Sequence, residues 1–256
     1  MKAFLSFVFL CPILLFAIER ERDWSAHNVP VLKKERQQLI EDAESGNPEA
    51  RLRAIKRCGW WRITYCYRVL VQNLNDVDPI IRRESAEALG LLRIPAARPY
   101  IKKALEKETV TDVKARMILA LGFSGQFEDA EVIQKYLKDP ETTVRRHAAL
   151  ALGYVADNKT EKALEEALKT EKKEHLIPVI LKSLLIISPE NTKYQNMLIE
   201  KLFSDDIWTR FYAAEAIRDL KIKEARTALQ KALSLEENKI VRRRLYDAFI
   251  TVLYAD

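Results

Sequence analysis

The sequence predicts an all-α fold of stacked helical hairpins, and three observations carry that prediction. Of 256 residues 48% are apolar and only six are glycine, while helix formers abound and no alternating strand pattern occurs. One motif recurs along most of the chain at a nearly constant period. Each copy places residues that start and stop helices at similar offsets.

The first element is not part of that pattern. After Met1-Lys2 the run Ala3 to Ile18 carries no charge and is followed by Glu19-Arg20-Glu21-Arg22-Asp23. A lysine ahead of a short apolar core has the character of a secretory signal peptide, and the run is short for a membrane span of about 20 residues. Cleavage is expected after Ala17, although Leu15 is bulkier than the residue usual there. An uncleaved anchor through residues 3–18 is the alternative, and a first helix buried in the fold is the third reading. Cys11 follows Leu10, where a lipoprotein cysteine would follow a small residue. The chain is therefore expected to be exported, periplasmic or extracellular. Losing residues 1–17 removes only Lys2 among the charges and takes the net charge from +6 to +5.

Residues 18–47 read as a linker and a capping helix, Val31 to Ser45. The array then runs over 48–256. Its copies are PEARLRAIKRCG (Pro48 to Gly59), DPIIRRESAEALG (Asp78 to Gly90), TDVKARMILALG (Thr111 to Gly122), PETTVRRHAALALG (Pro140 to Gly153), HLIPVILKSLLI (His175 to Ile186), DIWTRFYAAEAIR (Asp206 to Arg218) and NKIVRRRLYDAFI (Asn238 to Ile250). Successive copies end 31–33 residues apart. Within a copy, Pro79 or Pro140 suits the first helical turn and a nearby Asp can cap it. Alanines let helices approach, and Gly90, Gly122 and Gly153 are expected to end the helix in a left-handed conformation. A second helix follows, with apolar pairs four apart such as Ile101 and Leu105, or Leu198 and Leu202. Each such side chain contributes roughly 1.5–3 kcal/mol when buried. No copy can cover its apolar face alone, so neighbours must complete the core.

The segments DPIIRRESAEALG and PETTVRRHAALALG resemble the first helix of HEAT repeats, in the short form also seen in bilin-lyase-type proteins. The resemblance runs from about Pro48 to the C-terminus. It implies a right-handed α-solenoid of about seven repeats whose second helices line a concave, partner-binding surface. It implies no reaction, because the motif residues are structural. The fifth copy departs most: it lacks the Asp-Pro start and the Val-Arg pair, and Pro178 inside it suggests a local bend.

The stretch RCGWWRITYCYR (Arg57 to Arg68) stands apart. In register, Trp60-Trp61 form the turn between two helices and are expected to plug the open end of the stack. A patch for an aromatic or peptide partner is the alternative. Cys58 and Cys66 are a candidate disulfide, since an exported chain permits one. Helical rise, however, should leave Cys66 about 4–5 Å deeper along its helix than the level facing Cys58, so two buried thiols are expected.

Tests for chemistry are mostly negative. The three histidines, His27, His147 and His175, form no metal-ligand spacing, and His147 is expected to pack. HEAT-like metal hydroxylases carry repeated His-Glu pairs, and this chain has none. No Gly-rich phosphate loop and no nucleophile beside a base is visible. From Glu49 to Glu108 there are 13 Lys/Arg against 7 Asp/Glu, and beyond Glu108 the balance is nearly even. The expectation is therefore a scaffold and not an enzyme: a monomer without cofactor, metal or nucleic acid, touching membrane only if the N-terminal segment is uncleaved. Its concave face would bind a protein or peptide, acidic at the near end, through Tyr67, Arg68, Arg98, Lys102, Lys103, Gln134, Lys135 and Tyr136. A HEAT-like enzyme of the bilin lyase or DNA glycosylase type is the alternative.

Overall fold

A computed structural model describes residues 33–124, 127–156 and 158–255. The expected signal segment and Cys11 lie outside the described residues. Helix α1 (Lys33–Glu44) precedes the array and packs on its first hairpin. The first helices of the seven copies are α2 (Pro48–Trp60), α4 (Pro79–Leu92), α6 (Thr111–Ser124), α8 (Thr142–Val155), α10 (Ile177–Ile187), α12 (Ile207–Leu220) and α14 (Lys239–Leu253). Between them lie the second helices α3 (Tyr67–Asn73), α5 (Arg98–Leu105), α7 (Ala130–Gln134), α9 (Asn158–Thr170), α11 (Thr192–Glu200) and α13 (Arg226–Leu235). No strand occurs among the described residues.

Local chemistry sets the helix starts. Asn47, Asp78, Asp206 and Asn238 each accept a backbone N–H of the turn they cap. Pro48 and Pro79 occupy the first turn as expected, whereas Pro140 precedes a helix that begins at Thr142. Pro178 causes no bend, because α10 begins one residue before it and the ring falls in the first turn.

The glycines do not end their helices. Gly90, Gly122 and Gly153 lie inside α4, α6 and α8, where the next first helix comes too close for a side chain. A Cβ on Gly90 would stand 2.9 Å from the Ala120 Cα, and one on Gly122 only 2.5 Å from the Ala151 Cα. The left-handed residue comes three positions later and is not glycine: Arg62, Arg93, Ala156 and Lys221 have φ of 51°, 51°, 47° and 53°. An L-residue there costs roughly 1–2 kcal/mol, partly offset by glycine's greater freedom when unfolded. Lys221→Gly, at an exposed side chain, is expected to stabilise the protein by about 0.5 kcal/mol, seen as a raised urea midpoint at unchanged slope.

In five of the seven copies one basic side chain locks the hairpin. Arg82 grips Glu108, Arg145 grips Glu171 and Arg210 grips Glu236, each through two guanidinium hydrogen bonds of 2.6–3.0 Å. Each guanidinium also donates to two carbonyls of the loop entering its own helix. The carboxylates in turn accept N–H groups that open the next unit. Burial alone would raise the Glu108 carboxyl, but the Arg82 bonds together with the Val110 and Thr109 N–H groups hold it below the usual range. Arg51 with Asp76 and Lys114 with Asp139 repeat the arrangement. In the fifth copy Pro178 occupies this position, which explains its departure from the Val-Arg pattern.

Successive first helices pack directly on one another, whereas second helices meet mainly the first helices of the array. Two layers of unequal spacing must curve with the closer layer inside. The Arg146 Nη1 donates to the Tyr212 hydroxyl at 2.6 Å, over the intervening α10, a reach that only the inner arc allows. The concave surface is therefore lined by first helices, correcting the expectation that second helices would line it.

Candidate partner-binding surface

The eight residues expected to bind a partner come from α3, α5, α7 and the turn after α7, and they do not form one free basic strip. Arg98 donates from Nε to Asp129 Oδ2 at 2.5 Å and from Nη2 to Oδ1 at 3.1 Å, and it also reaches Glu128. Lys102 Nζ lies 3.0 Å from the same carboxylate, whose side chain is fully buried. These two cations hold one unit to the next. Tyr67 spends its hydroxyl on the Ala96 carbonyl at 2.9 Å. Tyr136 packs against the core, and burial pushes its hydroxyl pKa up. Gln134 is half-buried, while Arg68, Lys103 and Lys135 are exposed on the outer layer.

The inner layer carries a different surface. The residues that directly follow the second, third and fourth copies, Leu91, Phe123 and Tyr154, continue along it. Phe123 and Tyr154 meet edge-on with ring centroids 4.9 Å apart. Towards the C-terminus Arg146 reaches the Tyr212 phenol, and the Arg244 guanidinium lies 4.8 Å from the Phe211 ring centroid. Glu215 lies 3.9 Å from both Arg218 and Arg244, and Lys182 pairs with Asp219 at 2.5 Å. Sequence reasoning missed this surface because it was assigned to the wrong helix layer. The signal was present, in the bulky residue after every Ala-Leu-Gly and the variable residues after every Val-Arg.

The Trp60-Trp61 turn is not a plug. The two tryptophans are 65% and 59% exposed. Beneath them Cys58 and Cys66 are joined, with α-carbons 6.0 Å apart, against the expectation of two thiols. The expected hairpin was too regular. Arg62 turns left-handed, Ile63 N–H returns to the Cys58 carbonyl at 2.8 Å, and a 3₁₀ turn at Thr64–Cys66 places Cys66 level with its partner.

His147 packs as expected. Its Nδ1 lies 2.7 Å from the Thr143 carbonyl, the ring is buried, and burial, reinforced by Arg146 and Arg116, lowers its pKa to about 4. The neutral ring is thus favoured in the fold, so its contribution is complete above the unfolded pKa near 6.5 and fades as the pH falls towards 4. The loss across that window should be on the order of 2–3 kcal/mol. Urea titrations at stepped pH should show it, and His147→Gln should flatten that part of the profile.

These features define an α-solenoid built from stacked helical hairpins. Residues 36–122 match the family of HEAT repeats. Deoxyhypusine hydroxylase of Candida albicans is 26% identical over 166 residues, covering 63% of this chain and 51% of that protein. The Aspergillus clavatus protein of the same name is 34% identical over 91 residues, 35% of this chain and 27% of that one. This chain thus spans about half the length of the first relative and about a quarter of the second. Among solved structures, the complex of CpcE and CpcF of phycocyanin lyase from Nostoc sp. includes a chain with the same fold, at a TM-score of 0.65 and 17% identity, covering 90% of this chain and 98% of that one.

The relatives' names correct one expectation. They are enzymes, so the reading of this chain as a protein without enzymatic activity does not stand. The metal set of the HEAT-like hydroxylases is another matter. Among the described residues no group of three His, Cys, Asp or Glu side chains is arranged to hold a metal, and His147 is committed to packing. The described residues do not fit such a metal.

Proposed function

We propose that this protein is exported and docks a protein or peptide partner against the first-helix surface inside the solenoid. The observation that carries the reading is the Arg146–Tyr212 and Arg244–Phe211 array. Arginine and tyrosine dominate the energetics of protein interfaces, and here they stand half-exposed on rigid helices. Arg146 meets a phenol, a contact that does not neutralise the guanidinium, and a carboxylate of the partner would; Arg244 already lies 3.9 Å from Glu215 and adds its stacked ring. The uncharged run from Ala3 to Ile18 supports export.

Affinity capture from an envelope extract tests this with three baits: wild type, Arg146→Glu with Arg244→Glu, and Lys103→Glu with Lys135→Glu. One protein lost only from the first variant, and cross-linking to a photoreactive residue at Leu150, one turn after Arg146 on α8, is the expected result. Loss only from the second variant would place docking on the outer layer.

A second reading rests on the relatives' names: an enzyme acting on deoxyhypusine. Incubation with a protein carrying deoxyhypusine, dioxygen and a two-electron reductant should then yield the mass gain of one oxygen atom, the second leaving as water, and an unchanged mass would remove it.

A further inference from the structure

The turn between α2 and α3 is a second surface that the concave array does not explain. Its residues 58–66 are closed into a short loop by the Cys58–Cys66 disulfide, and both sulfurs are buried under it. The closed loop lifts two large apolar side chains into water, Trp60 and Trp61, side by side. A single exposed apolar residue needs no explanation, but two adjacent tryptophans held by a covalent clamp are an arranged contact.

The charged side chains within the loop itself are arginines. Arg57 stacks on Trp61, with its guanidinium 5.3 Å from the ring centroid. Arg62 occupies the left-handed position of the turn, and the equivalent position one unit on is Arg93. Arg57 and Arg62 beside two exposed indoles suit a multiply anionic surface with an apolar layer beneath it. Indole rings favour the boundary between lipid headgroup and acyl chain, and each arginine near an anionic leaflet adds attraction.

We propose that the Arg57–Arg62 loop is a peripheral contact site for an anionic phospholipid surface, with Trp60 and Trp61 entering the interface and Arg57 and Arg62 on the headgroups. The site is separate from the concave array and leaves that surface open for a partner. An acidic protein is the competing occupant. The apolar run Ala3 to Ile18, about 40 residues upstream, favours the membrane, because either as a signal or as an anchor it brings the chain to a bilayer.

The full chain already holds an apolar N-terminal run, so sedimentation alone cannot report on the loop. The readout is the fluorescence of Trp60 and Trp61 in a Trp24→Phe, Trp208→Phe background, with phosphatidylcholine vesicles containing or lacking phosphatidylglycerol, brominated on the acyl chains. Expected are a blue shift and bromine quenching with the anionic vesicles only. Arg57→Glu with Arg62→Glu should weaken the quenching titration by about tenfold or more, with circular dichroism confirming that the variant is folded. Unquenched, unshifted emission from protein that nevertheless sediments with the vesicles overturns the proposal. So does a blue shift with polyglutamate but none with vesicles, which would assign the loop to an acidic polypeptide.

Discussion

Gly122→Ala is expected to cost about 3 kcal/mol of stability, near the upper end of the usual range for overpacking. The methyl group would stand 2.5 Å from the Ala151 Cα, 2.6 Å from its Cβ and 2.8 Å from its carbonyl oxygen. Two of these three atoms are backbone, so no rotamer change can relieve the clash. The α6 and α8 helices would have to separate, and with them the buried residues Met117, Leu121, Ala148 and Leu152. Because each unit packs mainly on its neighbours, the damage should concentrate at one junction and can divide the unfolding transition in two. Urea melts followed by circular dichroism provide the check. Gly46→Ala is the control, since nothing lies within 4 Å of the added methyl. Equal melting of the two variants would mean that the helices do not approach as closely as described.

The same glycine shows what the sequence could and could not reveal. The period, the helices and a cap were legible, because Asp78 and Pro79 act through local hydrogen bonding and backbone geometry. The alanines were legible as close-packing residues. Gly122 was misread as a helix end because a glycine near a helix terminus satisfies two physical demands equally well, left-handed backbone or lack of a Cβ. Only the position of the neighbouring helix separates them. The choice of concave layer is a property of the whole stack and cannot be read within one repeat. It depends on which helices approach more closely, so the candidate residues were sought on α3, α5 and α7 when Arg146, Tyr212 and Arg244 line the inner arc. The disulfide was missed for a smaller reason, the left-handed Arg62 that shortens the path to Cys66.

Asp129→Ala is expected to cost about 2–3 kcal/mol, below the 3–5 typical of breaking a buried pair because both cations keep some access to water. Asp129 is fully buried between Arg98 and Lys102, whose side chains are 17% and 32% exposed. Without the carboxylate two positive groups face each other across its place, and Arg98 retains only the exposed Glu128. The second change Arg98→Met should recover part of the loss, and the double-mutant cycle measures the coupling. This bears directly on function. Arg98 and Lys102 resemble a docking strip in sequence, and reversing their charge would abolish binding of a partner at any site by loosening the junction that α5 makes with α7. A binding defect in such a variant therefore counts only if its urea midpoint is unchanged. If Asp129→Ala costs less than about 0.5 kcal/mol, the size of a solvated surface pair, Arg98 and Lys102 do not depend on the carboxylate, and charge reversal there becomes a valid test of docking on the outer layer.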